Sequence, residues 1–400
     1  MTVLICSVDS LPRLGGVSIM AHELSNAFAD VGEKVVFVGP KDSYVPSGFT
    51  RKYHHREDVH YNRKLRAGKD ALFEDERISR LFDLIMKQDK ITRVLMVHPF
   101  HYAVGALRAC RLNDVPISVW FHGYELRSRL KGEYPRSQRS IMERATPIKL
   151  RERTFFTIGG VDELLANSSY TADLLKPFRI RPPISITGCG ASAVPPEISS
   201  ASIDRRAARE VLGVPLDVTV LAYVGRLIDA KRVDRLIEIV GNGTNFFGLV
   251  VGDGPARERL QSLADRHGLS GKVLFFGRVD EKTKWLALRA SEFGCLLSEP
   301  DEQSGQVEGF GISLLEAALA GAVPVSSGTG GMMDVVRHMD TGVVLSPSLD
   351  PGSAATVLRS MVSDASSCER LVKAAQEQIA NRFNWTVIVE KLRHGWLMAR

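Results

Sequence analysis

Four charged side chains in the second half of the chain have the types and spacing needed to bind a phosphorylated polyol. Arg226 follows the apolar run from Thr219 to Val224, and Lys231 comes five residues later. Two carboxylates, Glu308 and Glu316, stand eight residues apart. Cations across a turn can hold a diphosphate from two directions, and carboxylates accept hydrogen bonds from hydroxyls. The sequence therefore predicts a site for a ligand that carries both phosphates and hydroxyls.

The segment that carries both carboxylates reads EGFGISLLEAALAGAVP. From Gly311 to Ala320 it is apolar on every helical face except at Glu316, which predicts a helix buried on nearly all sides. A buried carboxylate must be paired or hydrogen-bonded, so Glu316 needs a partner. The free N–H groups and the dipole at the start of this helix favour an anion. We expect phosphate to approach the backbone of four residues: Gly309, Phe310, Gly311 and Ile312.

Strands and helices must bring these residues together. Short apolar runs alternate with helical patterns through both halves, which predicts an α/β fold with parallel, doubly wound sheets. A stretch rich in Gly, Ala, Ser and Pro at residues 190–203 predicts a domain boundary, and a chain of 400 residues is long enough for two domains. We therefore expect one domain over residues 1–195 and a second over residues 204–384.

Two glycine loops follow predicted strands, at the sheet edge where such folds bind ligands. Gly15 and Gly16 come after the first strand, where a tight turn that needs a positive φ is an equal alternative. Gly252 and Asp253 begin a G-x-G-P loop. Arg257 breaks the dinucleotide pattern G-x-G-x-x-G at its last position, which weakens the hypothesis of a dehydrogenase.

A histidine and a basic stretch are the candidates in the first half. His122 directly follows the apolar run from Ile117 to Phe121, so it is placed either to face a ligand or as a satisfied loop residue. Glu125 contacts a ligand or caps the next helix. From Arg127 to Arg153 there are nine Lys or Arg residues against three Glu. This stretch is a solvated face, or a site for an anionic acceptor or for anionic lipid headgroups.

Composition narrows the classes of function. The chain has 52 Lys and Arg, 46 Asp and Glu and a pI of about 9.0, a surplus that fits an anionic ligand or lipid surface and is too small to indicate nucleic acid. Five cysteines without a C-x-x-C pattern argue against disulfides and zinc and favour a reducing cytosol. No signal sequence or spanning apolar run is recognised, so we expect a cytoplasmic protein with at most peripheral membrane contact. The polar region at residues 41–90 is expected to be solvated.

The motifs together resemble the retaining glycosyltransferases of family 4, which have the two-domain GT-B fold. The match consists of the E-x7-E element at Glu308, the G-R-x4-K-x-x-D run from Gly225 to Asp234 and the H-G-x-E run at His122. The resemblance implies two Rossmann-like domains facing a central cleft. It also implies that residues 385–400 form a helix that packs back on the first domain.

The resemblance further implies a role for each candidate. Four residues would be catalytic, with His122 beside the transferred sugar: His122, Arg226, Lys231 and Glu308. The others would bind the donor, with Glu316 on the ribose diol and backbone near Arg278 on the base: Gly15, Gly16, Gly252, Asp253, Arg278, Gly309, Phe310, Gly311, Ile312 and Glu316. No D-x-D triplet occurs in the sequence, so we expect neither a metal nor another cofactor.

The implied reaction is transfer of a hexosyl group, with retention, from a UDP-, GDP- or dTDP-sugar to a hydroxyl group. The acceptor is a glycan, a lipid-linked molecule or a small molecule, in polysaccharide, glycolipid or other glycoconjugate biosynthesis. In the family the departing phosphate can itself take the acceptor's proton, so no protein base is required. The alternatives are a GT-B nucleotide-sugar epimerase, a phosphorylase, for which no pyridoxal phosphate lysine is identified, and a non-catalytic nucleotide-sugar-binding subunit.

Overall fold

A computed structural model of the protein describes residues 1–7, 9–12, 15–40, 43–45, 50–56, 69–98, 102–126, 159–176, 182–199, 203–301 and 305–398. The chain divides into two compact units. Unit 1 comprises Met1–Gly190, Glu302–Gly305 and Phe383–Arg400, and unit 2 comprises Ala191–Asp301 and Gln306–Arg382.

The described strands and helices alternate along most of the chain. The strands are β1 (Thr2–Ser7), β2 (Lys34–Val38), β3 (His54–His55), β4 (Arg93–Val97), β5 (Ile117–Phe121), β6 (Glu163–Ala166), β7 (Ile184–Ile186), β8 (Thr219–Val224), β9 (Phe246–Val251), β10 (Val273–Gly277), β11 (Phe293–Leu296), β12 (Val323–Ser326) and β13 (Val343–Val344). The helices are α1 (Gly16–Asp30), α2 (Lys69–Asp89), α3 (Ala103–Leu112), α4 (Ser169–Leu175), α5 (Pro196–Ser199), α6 (Arg205–Leu212), α7 (Val233–Asn242), α8 (Arg257–Arg266), α9 (Glu281–Arg289), α10 (Ile312–Leu319), α11 (Pro351–Val362), α12 (Ala365–Arg382) and α13 (Trp385–Met398). Two 3-10 helices cover Asp229–Lys231 and Gly330–Asp334.

Each unit contains one sheet whose described strands run parallel. The order is β3-β2-β1-β4-β5-β6-β7 in unit 1 and β10-β9-β8-β11-β12-β13 in unit 2. Both orders contain the doubly wound 3-2-1-4-5-6 arrangement. The order in which strands are added reverses between its first and fourth strands, and a ligand-binding crevice opens there. The predicted α/β class with two doubly wound sheets is confirmed. The crevices lie beside the carboxyl ends of β1 and β4 in unit 1 and of β8 and β11 in unit 2.

The C-terminal helix α13 packs on unit 1. The ring of Trp396 stacks on Phe28 of α1 with centroids 5.5 Å apart, and its indole Nε1 donates to Glu163 Oε2 at 2.8 Å. Arg393 Nε donates to Glu33 Oε1 at 2.6 Å. Aromatic burial and charge-assisted hydrogen bonds thus join the last helix to the first sheet.

The expectation of a solvated region at residues 41–90 is wrong for α2. Ile78, Phe82 and Ile85 on this helix are fully buried in the core of unit 1. Their spacing of three and four residues puts them on one helical face. The prediction missed this face because it considered only the polar composition of the region. Among the described residues, no helix is both long enough and apolar enough to span a lipid bilayer.

Candidate functional site

The loops after β8, β9 and β10 are joined by backbone hydrogen bonds. Leu227 N donates to Asp253 O at 3.0 Å, and Gly252 N donates to Gly277 O at 2.8 Å. Gly252 has a φ of +132°, and a Cβ placed on it would lie 1.8 Å from the carbonyl oxygen of Gly225. The G-x-G-P loop therefore has glycine at this position because another backbone segment occupies the space of a side chain.

The loop after β8 presents two cations in different surroundings. Arg226 is exposed, and its guanidinium forms no hydrogen bond or ion pair with the residues that the structure describes. Lys231 ends the 3-10 helix Asp229–Lys231, and its Nζ forms an ion pair with Glu308. The two side chains are 21% and 15% exposed, so this pair lies at the edge of the protein surface rather than in the core.

Tyr223, at the end of β8, holds the loop that carries Arg226 through a hydrogen bond, and no sequence pattern indicates this role. It is 1% exposed, and its hydroxyl donates to the backbone oxygen of Arg226 at 2.9 Å. Burial raises the pKa of Tyr223, and the nearby Glu308 carboxylate adds to this effect. The hydroxyl therefore remains a hydrogen-bond donor, and it fixes the turn that carries the arginine. The residue lies in an apolar strand run, which gives no sign of this contact.

The start of α10 offers amides to an anion. Gly311 is the residue before the helix, has a φ of +100° and provides no side-chain cap. Phe310 is buried, and its N–H points to Glu308 Oε1 at 3.4 Å. On the other side, Gly331 N donates to the carbonyl oxygen of Glu308 at 2.9 Å. Glu308 is thus held between Lys231 and the glycine-rich turns, next to the amides of Gly311 and Ile312, which no side chain of the described residues caps.

Glu316 requires a correction to the sequence prediction. It is buried, as the helical pattern predicts, but the partner that its burial demands is Lys284 of α9 rather than a ribose diol. Lys284 Nζ donates to Glu316 Oε1 at 2.8 Å. Lys284 was missed because a lysine among the charges of EKTKWLALR gives no indication of burial. A contact between Glu316 and ribose stays a prediction.

Asp253 and Arg278 lie at the rim of the same loops. Asp253 Oδ1 accepts from the N–H of Gly254 at 2.8 Å and lies 3.7 Å from Arg257 Nη1, so it is directed at its own loop. Arg278 is exposed at the end of β10. The predicted contacts of this region with a nucleotide base stay predictions.

In unit 1, His122 is held by its backbone at the end of β5. Its N–H donates to the carboxylate of Glu125, as the capping alternative for that residue predicts. A contact between Glu125 and a ligand stays a prediction. The ring of His122 stacks near that of His98, with centroids 6.4 Å apart. Its Nε2 is buried and has no hydrogen-bond partner among the described residues. Burial lowers the pKa of His122 to about 4, so the ring is neutral at pH 7 and can exchange hydrogen bonds with a hydroxyl group.

The glycines after β1 cap helix α1. Gly15 is the residue before the helix and is extended, with a φ of −166°, and Gly16 is the first helical residue. Neither has a positive φ, so the alternative of a turn that needs one is wrong. The N–H of Gly15 donates to Ser18 Oγ at 3.0 Å. Both glycines are exposed, which leaves their backbone open to a ligand.

The structure does not test the predictions about the basic stretch and about metal ions. The basic stretch from Arg127 to Arg153 lies outside the described residues. Within the described ranges, no group of three His, Cys, Asp or Glu side chains has the arrangement of a metal site.

The pH dependence of stability is expected to report the burial of His122. As the pH falls from about 6.5 to about 4, the unfolded chain takes up a proton on this residue while the folded protein does not. The free energy of unfolding therefore decreases toward acid, by about 3 kcal/mol from this group when integrated over that window. Urea denaturation between pH 4 and 7 should show a shallower decrease for His122→Gln than for the wild type.

The control for this measurement is His267→Gln, because His267 is exposed at the end of α8. Burial also lowers the pKa of His22 to about 4. Its contribution to the pH dependence of the unfolding free energy is the same in all three proteins, so it cancels in the comparison. Equal pH slopes for the wild type and His122→Gln would contradict the buried, neutral state of His122.

Comparisons with known proteins agree with this architecture. The model described as "Glycosyltransferase Family 4" matches residues 14–192, and "Glycosyl transferases group 1" matches residues 204–378. The two matches cover most of both units. The chain belongs to the family 4-type glycosyltransferases of the GT-B fold.

Curated relatives match over part of their length. An uncharacterized glycosyltransferase of Methanocaldococcus jannaschii is 28% identical over 46% of this chain and 46% of its own. A glycogen synthase of Mycobacterium tuberculosis is 29% identical over 45% of this chain and 42% of its own, and a D-inositol 3-phosphate glycosyltransferase of Mycobacterium bovis is 33% identical over 36% and 29%. This chain therefore spans less than half the length of the curated relatives it matches.

Solved structures match over the full length. Anabaena HepE, in complex with UDP and glucose, has a TM-score of 0.72, 17% identity and coverage of 100% of each chain. A sucrose-phosphate synthase from Thermosynechococcus elongatus has a TM-score of 0.74 and 18% identity, also over 100% of each chain. At these identities the likeness shows the fold, and the GT-B prediction is confirmed.

Proposed function

We propose that the protein transfers a sugar from a nucleoside diphosphate sugar to an acceptor hydroxyl, with retention of anomeric configuration and without a metal. The observation that carries the proposal is the cluster at the carboxyl edge of the second sheet. There Lys231, the guanidinium of Arg226, which has no partner among the described residues, and the start of α10, which has no side-chain cap, lie on loops that backbone hydrogen bonds hold together. Family membership supports the reaction class, and the bound UDP of HepE supports the donor class.

The cluster suits the charge that develops in this reaction. The bond between the anomeric carbon and the donor phosphate breaks, the acceptor oxygen bonds to that carbon, and the acceptor's proton passes to the departing phosphate. Negative charge on the nucleoside diphosphate then meets fixed positive groups, and such preorganised charge is typically the largest contribution to catalysis. Glu308, beside Lys231, accepts hydrogen bonds from sugar hydroxyls. The family resemblance implies that His122 of unit 1 orients the sugar, and its Nε2 has no hydrogen-bond partner among the described residues.

The other parts of the proposal follow from the family resemblance. The transferred group is a hexose, and the acceptor is a glycan, lipid-linked or small molecule in glycoconjugate biosynthesis. The proposed cytoplasmic location rests instead on the cysteine composition. Peripheral contact with anionic lipid would involve the basic stretch from Arg127 to Arg153. The Lys and Arg side chains of this stretch are equally suited to bind anionic lipid headgroups and an anionic acceptor.

A thermal-shift panel of UDP-, GDP- and dTDP-sugars tests the donor class. A ligand that binds the native state alone raises the melting temperature, and one nucleotide should do so more than the others. The melting-temperature shifts should be the same with and without EDTA. In a separate assay with donor and acceptor, the rate of nucleoside diphosphate release should also be the same with and without EDTA. A panel without any shift would contradict the proposal, and loss of activity in EDTA would contradict its metal-free form. Nuclear magnetic resonance of the product's anomeric proton separates retention from inversion.

A further inference from the structure

We propose that Arg232 is a positioning residue for Lys231, which it keeps in place against Glu308 through an ion pair with Glu299 on the neighbouring loop. The inference rests on the proposed function, in which Lys231 meets the charge on the departing phosphate. In this proposal Arg232 does not contact the ligand, and it acts only through the lysine that precedes it.

The backbone of Arg232 turns the chain directly after Lys231. Lys231 ends the 3-10 helix Asp229–Lys231, and α7 begins at Val233. Arg232 lies between the two helices with a φ of +50° and a ψ of +44°, which is the left-handed region. Val233 is 2% exposed, so packing against the sheet fixes the start of α7. The direction of Lys231 relative to α7 therefore depends on the conformation of this one residue.

Glu299 contacts the residues on both sides of Lys231. Its Oε1 accepts from Arg232 Nη1 at 2.5 Å, and its backbone N–H donates to the carbonyl oxygen of Ala230 at 2.9 Å. Asp234 Oδ2 also accepts from Arg232 Nε at 3.2 Å. A guanidinium held by two carboxylates has little freedom to move. Because Glu299 follows β11, these contacts join Lys231 to a second loop at the same edge of the sheet.

The loop after β11 also anchors the turn that holds Glu308. The carbonyl oxygen of Ser298 accepts from Thr329 Oγ1 at 2.7 Å. Two residues after this threonine, the N–H of Gly331 donates to the carbonyl oxygen of Glu308 at 2.9 Å. Both charges of the Lys231–Glu308 pair are therefore held by contacts that lead to one loop, and these contacts fix their separation.

Stability alone does not explain an arginine at this position. A side chain in the left-handed region is strained, whereas glycine adopts the same conformation without that cost. The ion pairs that offset the strain are weak, because Arg232, Asp234 and Glu299 are 32%, 21% and 25% exposed and water screens their attraction. The strain and the gain are thus of similar size. Strained residues cluster at functional sites, and here the strained residue directly follows the lysine of the site.

Lys90 offers a matched case of the same backbone without the contact. It also has a positive φ, of +52°, and it follows the last residue of α2, where left-handed residues are common. Its side chain is exposed and forms no ion pair with the residues that the structure describes. Lys90→Gly therefore relieves the same kind of strain and separates no loops.

The test measures the steady-state release of nucleoside diphosphate from the donor that gives the largest thermal shift. Arg232→Gly keeps the left-handed backbone and loses the ion pairs, so kcat should fall about 10- to 100-fold, as when a group is misplaced by about 1 Å. The KM for the donor should stay within about three-fold of the wild type, because the charge of Lys231 is still present. The melting temperature should be equal or higher. Lys90→Gly should have wild-type kinetics.

A double-mutant cycle shows whether Arg232 acts through Lys231. In a Lys231→Ala protein, the further change Arg232→Gly should lower kcat by less than about three-fold, since no ammonium is left to position. Equal reductions in both backgrounds would overturn the inference, as would a wild-type kcat in folded Arg232→Gly. Either result leaves the proposed function in place.

If Arg232→Gly does not fold, Glu299→Ala serves in the same two backgrounds, because it removes the ion pair and leaves the backbone of Arg232 unchanged. Its expected results, and those that would overturn the inference, are the same. A wild type that releases no nucleoside diphosphate from any donor of the panel would overturn the proposed function and the inference together.

Discussion

Replacing Lys231 with alanine is expected to lower turnover by about 100- to 1,000-fold, the usual cost of removing one preorganised group that stabilises developing charge. The Lys231 ammonium lies against Glu308, beside the loops proposed to bind the donor phosphates. Because the charge on the departing phosphate grows in the transition state, kcat should fall more than donor affinity. The measurement is release of nucleoside diphosphate from the donor that the thermal-shift panel identifies.

The matched control is Lys272→Ala, which removes an exposed lysine elsewhere in unit 2. It should have wild-type kinetics. The melting temperature of Lys231→Ala should change little, since Glu308 is partly open to water and can be hydrated without its partner. Wild-type turnover from a folded Lys231→Ala protein would remove Lys231 from the proposed mechanism.

Replacing Gly252 with alanine is expected to destabilise unit 2 by about 2 to 6 kcal/mol, the sum of a strained backbone and an overpacked contact. The new Cβ would have to occupy a position 1.8 Å from Gly225 O, at a φ of +132° that side chains rarely adopt. The two loops must therefore separate, which also displaces Arg226. Urea denaturation measures the first effect, and nucleotide binding by isothermal titration measures the second.

Gly271→Ala is the control, because a Cβ at Gly271 meets nothing within 4 Å and its φ is not positive. Its stability should stay within about 0.5 kcal/mol of the wild type. If Gly252→Ala were as stable as Gly271→Ala and bound nucleotide equally well, the close approach of the two loops would not be important for the site.

Local pattern was sufficient for the regular elements of unit 2. The run Thr219–Val224 forms a strand with the predicted bounds, because it is a short apolar run between turn residues. The runs Phe246–Val251 and Val273–Gly277 form strands for the same reason. The apolar helix around Glu316 is equally evident, since residues on all its faces are buried. The same reasoning failed at α2, where one apolar face is hidden among many charges.

The sequence by itself determined the alternation of strands and helices, the family, and the need of Glu316 for a partner. All of these depend on residue type and on spacing along the chain. The tertiary structure alone decided that the partner is Lys284, that Tyr223 holds the loop of Arg226, and that Gly252 leaves room for Gly225. Each of these contacts joins separate loops or helices, and such distances are set by how the sheet and its helices pack rather than by any pattern within one segment.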